Sequence, residues 1–271
     1  MITNVRAITS YDLSGIPTGM TERHEDWRVP INAPHVLIAG ASGSGKSTTG
    51  RSILARICQL DVVLILLDPK RVEYALFRRR AAEFAVEPSE VVECLLRVDA
   101  EMNKRYAEME RASVTSWQHL EKVPLPILIA VEELAEFTPM ARDTDAKAVS
   151  LLLNRFARLG RGAGIFMLAS VQYPEAQTVS SQLRANMGYI ICHRVRTKIE
   201  SDVVFGPGAA SLGIDAAALP ASPAGLALIR DAHGFVRRVR ADYFSEEDIG
   251  DIVDRCLHLG KLDLGGSSES G

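Results

Sequence analysis

Four residues of this chain have types and spacing suited to phosphate chemistry: Gly40, Gly45, Lys46 and Ser47, in the order G-x-x-x-x-G-K-S. Glycine tolerates positive φ, so at Gly40, Gly43 and Gly45 successive backbone N–H groups can turn toward one anion. The positive end of a following helix would point at the same place. Lys46 can reach the β- and γ-phosphates, and the Ser47 hydroxyl can join the ligands of a magnesium ion. The reading assigns Gly40, Ala41, Ser42, Gly43, Ser44, Gly45, Lys46, Ser47 and Thr48 to a nucleoside triphosphate and its Mg2+.

Hydrolysis needs a second, acidic element. The apolar run Ile127-Leu-Ile-Ala-Val131 ends in Glu132 and Glu133, which puts two carboxylates at the C-terminal edge of a buried strand, where α/β ligands sit. Glu132 is expected to hold magnesium through water, and Glu133 to polarise the attacking water as general base. Aspartate is commoner at the first position, and Glu132 adds a methylene. The same pair could simply favour the start of a helix through its dipole, so that reading stays open.

These side chains need a scaffold. An apolar strand from His35 runs into the glycine loop, and Ser47 to Leu60 has Ile53, Leu54 and Ile57 spaced for a helix. Val62–Leu67 and Pro124–Val131 are continuous apolar runs, as strands buried on both faces require. Phe84–Val86, Ile165–Ala169 and Tyr189–Cys192 read as further strands. Helices are expected from Ser89, as cap, to Glu110 and from Thr144 to Leu159. Gly225–Arg230 and Phe235–Arg240 flank Asp-Ala-His-Gly as a hairpin, and Ser245 caps a last helix. Strands alternating with helices give an α/β fold with a largely parallel central sheet, helices on both faces and a C-terminal hairpin. Residues 1–33 read as an irregular lead-in with one small hairpin, 34–258 as one domain, and 259–271 as a disordered tail.

Composition narrows the classes. With 47% hydrophobic and 24% charged residues, the 271-residue chain is an ordinary globular protein. It contains no apolar run long enough to span a membrane, and its N-terminus lacks the layout of a secretory signal, so a cytoplasmic location is expected. Four dispersed cysteines and six scattered histidines form no zinc pattern, and His35 reads as a packed histidine. A net charge of −3 means that a nucleic-acid partner would be held by a local patch rather than by overall charge.

Several further segments carry a resemblance. Asp68-Pro-Lys-Arg-Val-Glu73 resembles the D-P-K-x-x-E signature of the FtsK/SpoIIIE DNA translocases, and Glu101–Met109 is similar to their E-M-x-x-R-Y helix. Leu159–Ile165 is similar to their A-R-A-A-G-I segment, and Ala169-Ser-Val-Gln-Tyr-Pro174 to their A-T-Q-R-P sensor. Arg184-Ala-Asn186, Arg194–Ser201 and Tyr243–Asp248 resemble the remaining blocks in the same order, so the resemblance covers roughly residues 20 to 256. It departs from the pattern at Glu132 and at Tyr173, which stands in place of the sensor arginine, with Val171 inserted before Gln172.

The resemblance implies a RecA-like P-loop NTPase that uses ATP and Mg2+, forms a homo-hexameric ring and pumps double-stranded DNA. It implies Gln172 as a γ-phosphate sensor and an arginine supplied by the neighbouring subunit. Arg155, Arg158 and Arg161 are the candidates, with Arg161 favoured for its glycine-flanked position. DNA contacts could come from Lys70, Arg71 and Arg78–Arg80, from Arg184, Arg194, Arg196 and Lys198, or from Arg237, Arg238 and Arg240, although solvated faces explain such clusters too. The family's membrane-spanning segment and winged-helix module are missing from the sequence, which leaves room for a membrane-anchored partner. Two other readings stay open: a secretion or coupling ATPase acting on a protein, and a nucleotide-dependent assembly switch without turnover.

Overall fold

The computed structural model describes residues 15–30, 35–137, 144–260 and 262. Ten strands form one sheet: β1 (Ile16–Thr21), β2 (Asp26–Val29), β3 (Val36–Ala39), β4 (Val63–Leu67), β5 (Glu83–Ala85), β6 (Ile127–Val131), β7 (Ile165–Val171), β8 (Tyr189–His193), β9 (Leu226–Arg230) and β10 (Val236–Ala241). Their order is β2-β1-β10-β9-β8-β3-β7-β6-β4-β5. From β8 to β5 neighbouring strands run parallel, and from β8 through β9, β10 and β1 to β2 they run antiparallel. The strand residues of β3, β4, β6, β7 and β8 are all buried, so apolar side chains cover both faces of the sheet there.

Residues next to one another along a strand point to opposite faces, and each face has its own core. Leu37, Ile65 and Ile129 pack with α2 (Pro88–Ala112) and α3 (Thr144–Leu159). Ile38, Leu64 and Leu128 pack with α1 (Lys46–Ile57) and the helix Glu246–Arg255.

The antiparallel part is larger than the sequence suggests. Residues 15–30, read as lead-in, form the β1–β2 hairpin and extend the main sheet through β10. Residues 1–14 and 31–34, and the expected tail over 259–271 apart from Leu259, Gly260 and Leu262, lie outside the described residues.

Helix starts follow local chemistry. The long helix α2 is capped two residues before the expected Ser89. Glu87 is its cap, with Pro88 in the first turn, and Glu90 accepts from the Glu87 N–H at 3.2 Å to complete a capping box. At Glu246–Arg255 the expected cap holds: Ser245 Oγ accepts from Asp248 N at 3.1 Å.

The C-terminal end of α1 is tied down by a buried arginine. Arg80, 1% exposed, donates from Nε to the Cys58 carbonyl at 3.0 Å and from Nη2 to Leu60 and Val62 carbonyls at 2.8 and 3.1 Å. The first of these is the carbonyl of the residue that caps α1, and the other two lie in the link from α1 to β4. Two short helices, α4 (Ser181–Asn186) and α5 (Lys198–Phe205), complete the parallel half, and Glu246–Arg255 is α6.

Candidate functional site

Residues 40–45 join the C-terminal end of β3 to the first turn of α1. Two glycines shape the loop. Gly43 has φ +72° and Gly45 φ +108°, the left-handed region that side chains disfavour. At Gly45 space matters as well, since a Cβ there would lie 2.6 Å from the Gly225 Cα.

The loop rims a cavity of about 280 Å³. Ala41, Ser42, Gly43, Gly45, Lys46, Ser47 and Thr48 all line it, while Gly40 and Ser44 lie behind them. Gly40 N–H donates to the Val171 carbonyl at 3.2 Å, and the Ser44 carbonyl accepts from Gly225 N–H at 2.9 Å. Seven of the nine residues expected around a triphosphate therefore line one surface, and backbone bonds to Val171, Arg194 and Gly225 anchor the loop.

Strand β6 delivers its carboxylates beside that surface. Glu132, 2% exposed, places Oε1 3.7 Å from Lys46 Nζ and 3.1 Å from Lys70 Nζ. Burial raises the Glu132 pKa, and the two lysines oppose that rise. Lys70 titrates above its ordinary value: burial works against its charge, but Glu132 and then Glu133 outweigh it. Glu132 Oε2 is buried without a hydrogen-bond partner. An orphaned carboxylate oxygen on a residue that lines the same cavity as Ser47 is the donor chemistry a magnesium ion takes, so these residues fit that ion.

Glu133 is held differently. Its carboxylate accepts from the Gln172 N–H at 3.1 Å to either oxygen and from the Ala135 N–H at 3.3 Å, with Lys70 Nζ at 3.7 Å. Gln172 lines the cavity from the end of β7, and its side-chain amide donates to the Tyr173 hydroxyl at 3.2 Å. The Arg196 guanidinium lies 4.2 Å over the Tyr173 ring, so positive charge stands on the residue that replaces the sensor arginine.

Arg161 is far from all of this. It sits in the turn Gly160–Ala163, before the first residue of β7, whereas Gln172 follows the last. Seven strand residues separate them, about 20 Å at 3.3 Å per residue. With Arg158, Arg184 and Arg230 it lines an open cleft of about 780 Å³ at the N-terminal ends of the parallel strands. Two residues of the E-M-x-x-R-Y segment fix its turn. Buried Arg105 donates to the Ala163 and Leu125 carbonyls at 2.9 Å each, and the Tyr106 hydroxyl donates to the Leu159 carbonyl at 2.6 Å. Arg155, by contrast, is bound within its own chain to Asp99 at 2.6 Å and Asn103 at 2.8 Å. His35 is buried as expected, its Nδ1 accepting from Met167 N–H at 3.0 Å, and burial lowers its pKa to about 4.

The residues of the first basic cluster have separate settings within the chain. Lys70 belongs to the carboxylate pair, Arg80 is in the core, Arg71 pairs with Glu87, Arg79 with Asp254, and Arg78 lies over Phe84. Sequence reasoning missed Lys70 because a lysine among arginines reads as surface. Its position one residue after Asp68-Pro69, at the end of β4 beside β6, was the available signal. Among the described residues no His, Cys, Asp and Glu group forms a metal cluster, no helix is long and apolar enough to cross a membrane, and all four cysteines are free and buried.

Comparison with known proteins agrees with this architecture. The FtsK/SpoIIIE family model matches residues 15–123. A DNA translocase FtsK of Helicobacter pylori is 28% identical over 236 residues, which cover 82% of this chain and 26% of that protein. A DNA translocase FtsK of Tropheryma whipplei is 32% identical over 202 residues, 66% of this chain and 27% of that one. The chain thus spans about a quarter of the length of such curated relatives. Among solved structures, the pCW3 conjugation coupling protein TcpA, a monomer form with ATPγS, superposes with a TM-score of 0.82 at 21% identity, over 95% of this chain and 73% of that one. The cytoplasmic domain of the Thermomonospora curvata type VII secretion ATPase EccC gives a TM-score of 0.72 at 20% identity, over 95% of this chain and 34% of that one.

Proposed function

For a chain whose residues 15–123 match the FtsK/SpoIIIE family model, we propose ATP-driven translocation of double-stranded DNA, with residues 34–258 as the motor unit of a homo-hexameric ring. One observation carries the reading: the phosphate loop and its carboxylates stand at one end of the parallel strands, and Arg161 at the other. An arginine that cannot reach its own chain's nucleotide has a use when a second copy brings its phosphate loop to the cleft.

In this reading the backbone of residues 41–45 and Lys46 bind the β- and γ-phosphates of ATP, and the Lys46–Glu132 contact yields to the ligand. Ser47 and Glu132 would hold magnesium, which when bound neutralises charge on the phosphate oxygens. Glu133, oriented by the Gln172 N–H, accepts the proton of the attacking water. Gln172 registers the γ-phosphate from the end of β7. Arg161 of the adjacent copy meets the charge that develops in the transition state, a contribution of about 10³ or more in rate.

The test is ATP hydrolysis with and without linear double-stranded DNA, with Lys46→Ala as blank. That variant should still fold, because Lys70 remains to pair with Glu132. Stimulation by DNA supports the translocase reading. Turnover that ignores DNA and responds to a protein favours a secretion-type motor, and tight ATP binding without turnover favours a switch.

A further inference from the structure

The last residue of β8 lies directly beneath the phosphate loop, and no step of the proposed reaction uses it. His193 is fully buried. One ring nitrogen, Nδ1, is 3.2 Å from the Leu226 carbonyl oxygen, and the other, Nε2, is 2.9 Å from the Thr49 hydroxyl. A carbonyl can only accept, so Nδ1 carries the proton and Nε2 accepts from Thr49 O–H. Burial lowers the histidine pKa to about 4, with Lys46 adding to the shift, so the ring is neutral near pH 7 and its acceptor nitrogen stays available.

The surroundings are tight. A Cβ on Gly40 would lie 2.6 Å from the His193 Cβ, so the loop backbone rests on this side chain. The next residue continues the contact: the Arg194 carbonyl accepts from Ala41 N–H at 2.9 Å. From the other side, Gly225 donates to the Ser44 carbonyl and packs on Gly45. The phosphate loop is thus gripped by β8 and by the entrance to β9, the two strands where the sheet changes from parallel to antiparallel.

We propose that His193 is a positioning residue of the nucleotide site, which ties the first turn of α1 through Thr49 to the start of β9 through Leu226 and so holds the phosphate loop in its binding shape. The inference rests on the nucleotide-binding reading of that loop and adds a residue to it. The reason for a histidine is geometric. The ring presents one donor and one acceptor in opposite directions across a rigid plane, and so bridges two elements in a way that an aliphatic residue of similar volume cannot.

The test is the affinity for magnesium ATPγS, measured by titration calorimetry on the whole chain, beside the melting temperature. Thr49→Val and His193→Leu should each weaken binding about tenfold at temperatures where circular dichroism shows them folded. The double variant should be no weaker than either single, because both remove one link. His193→Gln, whose amide oxygen can take the place of Nε2, should recover affinity to within about threefold. Should His193→Leu fail to fold, Thr49→Ser against Thr49→Val decides, with the serine expected to bind like the parent. Binding within twofold of the parent in Thr49→Val, or losses that multiply in the double variant, overturns the proposal. A parent chain that does not bind magnesium ATPγS while folded overturns the nucleotide-site reading itself, and the link with it.

Discussion

The two ends of the parallel strands are built to opposite plans. At the C-terminal end two lysines and the Glu132–Glu133 pair answer one another: Lys46 and Lys70 face Glu132, Lys70 reaches Glu133, and Glu133 also accepts from backbone amides. At the N-terminal end Arg158, Arg161, Arg184 and Arg230 share one cleft with a single carboxylate, Asp231, whose Oδ1 accepts from the N–H groups of His233 and Phe235. The first end is balanced before any ligand arrives. The second carries a surplus of positive charge, and both ends hold their key turn by hydrogen bonds from a neighbouring element. A balanced site can bind a triphosphate that exchanges for an internal ion pair, whereas a surplus waits for an anion from outside.

The sharpest way to break this contrast is Arg161→Ala. Hydrolysis should fall about 10³-fold while ATP affinity of the isolated chain stays within twofold. Mixing this variant with Lys46→Ala should restore part of the activity, since a mixed ring of the proposed kind would contain sites with an intact loop from one copy and an intact arginine from the next. Equal loss in affinity and rate would place Arg161 in its own chain's site and end the contrast.

Glu133→Gln should come next, with hydrolysis reduced at least about 10²-fold and ATP binding retained. A rate like the parent's would remove Glu133 as general base and leave it as a partner of the Gln172 amide alone.

The buried histidines sharpen the comparison through stability, because each end has one. His35 and His193 both titrate near pH 4 in the folded chain, against about 6.5 unfolded. The folded-state value is lowered, so the unfolded chain takes up the proton first. Their contribution is complete above about pH 6.5 and is lost as pH falls toward 4. Between pH 7 and pH 5 each histidine should withdraw about 2 kcal/mol, measurable by urea unfolding. Replacing either one should flatten the acid slope by a similar amount if the two ends are equally dry.

The smallest effect concerns Glu132→Asp, which should keep turnover within about threefold or raise it, because it restores the commoner carboxylate. A collapse in steady-state rate would show that the Lys46 and Lys70 contacts require the longer side chain.

Much of this was legible in the sequence. The phosphate loop announced itself by spacing, and the buried runs Val63–Leu67 and Ile127–Val131 could be read because strands covered on both faces carry no polar alternation. The β9–β10 hairpin, whose connection is one residue longer than the four expected, and the Ser245 cap likewise follow from local rules. Other features were hidden for physical reasons. Helices of six and eight residues, α4 and α5, are too short to show a period. Strand order depends on which edges meet, so nothing local told that β1 would pair with β10. His193 ends an apolar strand and gains its meaning only from Thr49, 144 positions away. Arginines mislead most. Arg80 and Arg105 look like surface charge in a sequence, and become core residues because backbone carbonyl groups surround their guanidinium groups and accept from them.

Arg80 also has a mechanical consequence. If the chain moves a polymer as proposed, it would be strained at each stroke, and a helix under tension would open first at its ends. Helix α1 begins at the glycine loop, and beyond its other end one rigid guanidinium fork grips the carbonyl of its cap, Cys58, and those of Leu60 and Val62 in the link to β4. Bolted at both ends, α1 can behave as a strut rather than a spring, so recoil after phosphate release would pass into the strand that begins at Val63 instead of dissipating as fraying.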